Sequence, residues 1–135
     1  MGFDTDRGRH AVDEHDRANG KADENPEVRL RLFIRDFMLM LLDEANGSLP
    51  CRIMARELAD PTPALDKIVR EAIEPMHEFL GKLVREIAGD KVGAAELRRC
   101  VHSIFGQCLF YRHSQPVLQR LHPRLRYDRK EIEAI

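Results

Sequence analysis

The sequence predicts an all-α domain, and three observations predict it. Leu65, Ile68, Val69, Ala72, Ile73, Met76, Phe79, Leu80, Leu83, Val84 and Ile87 recur at helical spacing, which buries one face of a long helix. Asn25-Pro26 and Thr62-Pro63 each pair a capping side chain with a proline that has no amide to satisfy at the first helical position. Nowhere does a run of alternating, β-branched residues lie between turn signals, so no sheet is assigned. A chain of 135 residues, 43% of them hydrophobic, suits one domain around one core.

Residues 1 to 24 are polar, with glycine at 2, 8 and 20, and read as a linker or remnant with at most a short helix around Arg9 to Arg17. From Asn25 a helix is expected to run to about Asn46, with Gly47 as its stop. It carries Phe33, Phe37, Met40 and Glu44 on one stripe, yet Phe37 to Leu42 is apolar on every side, which makes it a central helix. A short helix follows over roughly Cys51 to Ala59, ended by Asp60-Pro61-Thr62-Pro63. The long periodic helix then runs to Gly89; Pro75 inside it removes the bond to the Glu71 carbonyl and predicts a kink. The next helix, about Gly93 to His113, sets Leu97, Val101, Ile104, Cys108 and, at the flank, Phe105 toward the core. Its other side holds Arg99, His102, Ser103, Gly106, Phe110 and His113, where small residues admit a second backbone. A short helix from Ser114-Gln115-Pro116 ends near Leu121, and Asp128 with Glu131 forms a capping box for a last helix up to Ile135.

Charge excludes several partner classes. The chain holds 22 Lys plus Arg against 23 Asp plus Glu, so no global field draws nucleic acid or membrane, although Arg112 to Lys130 is locally basic and reads as a solvated end. Cys51, Cys100 and Cys108 are odd in number and lack CxxC spacing, which argues against a disulfide framework or structural zinc and fits a reducing cytoplasm. No apolar run approaches the ~20 residues that span a bilayer, and no signal-peptide core opens the chain.

Catalytic signals are weak. Glu74-Pro-Met-His77 has the Glu-x-x-His spacing by which one helix offers a carboxylate and an imidazole to a metal, but it occurs once, off the apolar stripe, and reads as polar surface. Cys108 faces the core while His102 points to the other side, so they share no metal. Phosphate-binding glycine loops and nucleophile elbows are absent, and neither a catalytic residue nor a cofactor is assigned. A Phe- and Met-rich helix beside a proline-containing one either leaves a cavity lined by adaptable Met40, Met54 and Met76 or simply fills a core.

Two stretches carry a family resemblance: Ile53-Met-Ala-Arg-Glu-Leu-Ala-Asp-Pro-Thr-Pro-Ala-Leu-Asp66 and Ser103-Ile-Phe-Gly-Gln-Cys-Leu-Phe-Tyr-Arg-His-Ser-Gln-Pro-Val-Leu118. With Arg29-Leu-Arg-Leu-Phe-Ile-Arg-Asp-Phe37 and Glu74-Pro75, the chain from Asn25 to Ile135 resembles the C-terminal domain of TetR family regulators of the CerR-like subgroup. The resemblance implies a helical bundle that binds a small effector, pairs its last long helices with a second copy, and leaves operator reading to an N-terminal helix-turn-helix. No such reader precedes Asn25 here, so the chain reads as a fragment or as a protein that kept only the sensing part.

The expected partners are a second copy of the chain and a small hydrophobic or aromatic effector, with DNA engaged only through a reader this sequence does not contain. Pocket candidates are Phe37, Met40, Met54, Glu57, Met76, His77, Phe105 and Cys108, of which Glu57 and His77 are the polar members able to orient a ligand. Candidates for a two-fold helix pair are Arg99, Ser103, Gly106, Phe110 and His113. A ligand-free interaction module is the alternative; a small metal-dependent enzyme built on Glu74 and His77 stands behind both.

Overall fold

The computed structural model describes residues 25–42 and 48–135. Among them every regular element is helical: α1 (Pro26–Leu42), α2 (Ser48–Ala59), α3 (Pro63–Ile68), a π-helical turn (Val69–Ile73), α4 (Glu74–Ala88), α5 (Ala94–His113), α6 (Gln115–Leu121) and α7 (Arg129–Ala134). The expected linker at residues 1–24 and the end of the first helix up to Asn46 lie outside the described residues.

Local chemistry sets most helix ends. Asn25 Oδ1 accepts the amide of Glu27 at 3.0 Å, Thr62 Oγ1 accepts that of Ala64 at 3.3 Å, and Asp128 Oδ1 accepts that of Glu131 at 2.9 Å. Each supplies one of the acceptors that a helix start lacks. Gly89 ends α4 at φ 83°, a conformation that strains any residue with a Cβ. The Arg85 guanidinium then donates to the carbonyls of Gly89 and Val92, tying the end of α4 to the turn before α5. α2 starts at Ser48, ahead of the Cys51 expected, because Pro50 falls in the first turn, where its missing amide costs nothing.

Pro75 stands within the first turn of α4, directly after the π turn. There the amide of Glu74 bonds back to the carbonyl of Val69, five residues earlier, so the backbone has widened by one residue just ahead of the ring. The wider turn lies immediately ahead of the proline at which the sequence predicted a kink.

α1 is the hub. Arg29 bonds Glu86 at 3.2 Å while Phe33 meets Phe79, so α1 and α4 run antiparallel. Phe33, Leu80, Val84, Val101 and Phe105 form one buried cluster between α1, α4 and α5. Met38, Leu41, Leu42, Cys108 and Ile132 form a second between α1, α5 and α7. Leu80 and Leu83 have no exposed surface, and burial on this scale stabilises by about 1.5–3 kcal/mol per side chain. The exposed Arg29–Glu86 pair adds at most about 1 kcal/mol.

The buried face of α1 differs from the predicted stripe. Met40 is 48% exposed, whereas Met38 is buried. In a segment apolar on every side, sequence gives no phase; the packing of α4, α5 and α7 selects Phe33, Met38, Leu41 and Leu42.

Candidate functional site

An aromatic centre lies where α1, α4 and α5 meet. Phe37 and Phe105 meet in a T-shaped arrangement at 5.4 Å between ring centroids, and Phe33 contacts both Phe37 at 6.0 Å and Phe105 at 6.2 Å. His77 stacks on Phe105, 4.4 Å between ring centroids and within 14° of parallel. It also meets His102 in a T-shaped arrangement at 5.9 Å. Burial, and secondarily His102, hold the His77 imidazole below the ordinary histidine value, which keeps it neutral and suited to stacking. His77, read from sequence as surface, is thus half-buried; Glu74 is exposed.

Of the eight pocket candidates, Phe37, Met76, His77 and Phe105 belong to this centre. Cys108 is buried in the neighbouring cluster, where burial pushes its thiol up. Met40 points outward, and Met54 is half-buried on α2. Glu57 is only 7% exposed, but its oxygens accept from the amide and hydroxyl of Thr62, both at 2.9 Å. It acts as a latch across the Asp60–Pro61 turn between α2 and α3. On the π turn, Glu71 Oε2 is buried without a hydrogen-bond partner, an omission that costs about 1–3 kcal/mol.

The two best-formed concavities are open grooves rather than enclosed chambers. The first, about 550 Å³, has Ile34, Met38 and Cys108 at its base and Ser103, Gly106 and Phe110 along its rim. The second, about 700 Å³, lies between the end of α1, α6 and α7, with Leu39, Leu42, Tyr127 and Ile132 among its walls. Cys108 is the single pocket candidate to line either.

The other side of α5 is open. Arg99, Ser103, Gly106, Phe110 and His113 are all exposed, and Phe110 leaves 52% of its surface uncovered. A Cβ built on Gly106 meets nothing within 4 Å. Sequence reasoning missed the contribution of α1 to both grooves and the Tyr111–Tyr127 ring pair at 5.8 Å. Its one signal was the two tyrosines in the basic segment.

No group of three or more His, Cys, Asp or Glu among the described residues is arranged to hold a metal ion. Likewise, no described helix is long and apolar enough to cross a membrane. What the described fold offers is surface: an exposed face on its longest helix beside one groove, and a second groove between α1, α6 and α7. The family model described as HTH-type transcriptional dual regulator CecR, C-terminal domain, matches residues 26–135. The chain belongs to this family. The TetR-type expectation therefore holds, with CecR as the name in the description, and the family is one of transcriptional regulators rather than enzymes. Searches of curated proteins and of solved structures find no match.

Proposed function

We propose that the chain is the effector-sensing and self-associating part of a TetR-type transcriptional repressor, acting in the cytoplasm as a homodimer. The observation that carries this reading is the exposed face of α5 in a domain of this family. Gly106 lowers helix stability by roughly 0.5–1 kcal/mol relative to alanine, and among the described residues no atom lies within 4 Å of where its missing Cβ would be. Phe110 keeps half its surface in water one turn further on. A second α5 crossing at Gly106 uses both: the glycine admits the partner backbone, and the phenylalanine is covered. In such a dimer a small hydrophobic or aromatic effector that prefers one of two arrangements shifts their populations, and a helix-turn-helix reader coupled to the domain loses or gains its operator.

Sedimentation velocity tests the association. The wild-type chain sediments as a dimer and Gly106→Arg as a monomer of unchanged helicity, because the new side chain enters open space within its own chain. A dimer that survives Gly106→Arg removes this face. A panel of hydrophobic compounds tests sensing: a ligand that prefers the folded state raises the melting temperature. The open form of both grooves favours a second reading, an interaction module without effector that pairs with a longer regulator. Co-purification with such a regulator, together with a panel that never shifts melting, selects it.

A further inference from the structure

We infer that the groove between the end of α1, α6 and α7 binds a small amphipathic carboxylate. As the effector's location this rests on the sensing function proposed above; as a binding site it is tested separately.

The groove measures about 700 Å³, within the range of small-molecule sites. Leu39 and Leu42 from α1 and Ile132 from α7 give it an apolar base. Arg126 and Arg129 also line it, and Gln115 and Gln119 of α6 add amide groups. Ligands that match such a lining carry an apolar body and an anionic head.

The charge balance points the same way. From Arg112 to Ile135 the chain has five arginines and a lysine against three acids, Asp128, Glu131 and Glu133. The Asp128 carboxylate is engaged in capping α7, at 2.9 Å from the Glu131 amide. Neither Arg126 nor Arg129 has a carboxylate partner among the described residues. Two exposed guanidinium groups without a carboxylate partner among the described residues therefore border a groove of mixed polar and apolar lining, and a carboxylate is the planar acceptor that fits a guanidinium fork. Burial, Tyr111 and Glu131 all hold the Tyr127 phenol above its ordinary value, so it remains a protonated donor in the same wall.

Calorimetric titration of the full chain uses 2-naphthoate, its neutral isostere 2-naphthamide, and inorganic phosphate. Naphthoate is expected to bind at least tenfold more tightly than the amide. Phosphate, which lacks an apolar body, does not displace it. The double substitution Arg126→Gln, Arg129→Gln removes the tenfold preference without changing the melting temperature of the free protein, since neither side chain has a carboxylate partner among the described residues. Gln119→Trp, from an exposed position on α6, fills the groove and abolishes binding. Equal affinities for acid and amide, failure of naphthoate to bind, or displacement by phosphate overturns the inference. Neutral compounds that stabilise the double variant as well as the wild type overturn the groove and leave effector sensing standing. Arginine-dependent naphthoate binding that alters neither dimerisation nor operator affinity leaves the groove and removes sensing.

Discussion

Replacing Gly106 by alanine should make the single chain more stable and the dimer weaker, two effects of opposite sign from one methyl group. Gly106 lies in the interior of α5, and its Cβ position is empty to 4 Å within its own chain. The substitution therefore recovers helix propensity, roughly 0.5–1 kcal/mol, with no steric term against it. At an m-value of about 1–3 kcal/mol/M in urea, the unfolding midpoint rises by about half a molar. In the dimer proposed above, the same methyl would sit where the partner backbone crosses. Overpacking a close contact costs about 1–3 kcal/mol, which weakens association between about fivefold and a hundredfold. Gly81 supplies the internal control: it lies on α4, its Cβ position is equally open, and Gly81→Ala should gain the same stability without touching association. Urea unfolding at concentrations below dimerisation reads the first effect, and sedimentation equilibrium the second. If Gly106→Ala stabilises the chain and leaves the dimer unchanged, as Gly81→Ala does, no partner backbone passes Gly106. If it destabilises the isolated chain, the space around Gly106 is not open.

Three further outcomes follow from side chains already placed. Glu57→Ala removes the acceptor of the Thr62 amide and hydroxyl, and should cost about 1–3 kcal/mol in urea unfolding, with amide exchange rising first in α2 and at Thr62; a loss below about 0.5 kcal/mol would mean that water replaces the carboxylate. His77 is held below the ordinary value of 6.5, so the unfolded chain takes up a proton before the folded one: stability should fall as pH drops through about 6.5 and level off once the folded imidazole is also protonated. His77→Phe should flatten that segment of the pH curve, and an unaltered slope would refute the assignment. Finally, a thiol reagent should label exposed Cys100 rapidly and Cys108, buried with a raised pKa, only after unfolding; equal rates would contradict the packing around Cys108.

What the sequence revealed depended on the range of the interaction. Caps at Asn25, Thr62 and Asp128 and the turn at Gly89 were legible because each involves a side chain and backbone within a few residues. The core side of α5 was legible for the same reason, since Val101, Phe105 and Cys108 recur at helical spacing. Met40 was misplaced because Phe37 to Leu42 offers hydrophobicity in every direction, and only distant helices choose among them. Glu57 looked like a free polar group until the Asp60–Pro61 turn brought Thr62 onto its oxygens. Neither groove could be read locally, because each combines α1 with residues far along the chain: Ser103 to Tyr111 in one, Gln115 to Ile132 in the other.

That shared use of α1 bears on how binding and association could influence one another. Ile34 and Met38 line the groove beside the exposed face of α5, while Leu39 and Leu42, further along the same helix, line the groove bordered by the arginines. Ile34 and Phe37 also pack against both buried clusters, so α1 cannot shift against one without disturbing the other. A close-packed interior resists continuous deformation and favours a few discrete arrangements. In the proposed sensor, a ligand that displaced Leu39 and Leu42 would be felt at Ile34 and Met38, under the Gly106 and Phe110 rim. Linkage makes the effect reciprocal: whatever factor the ligand applies to dimer affinity, dimerisation must apply to ligand affinity. Reciprocity holds for any pair of coupled sites; what α1, continuous from Pro26 to Leu42, supplies is a route by which the two grooves can be coupled.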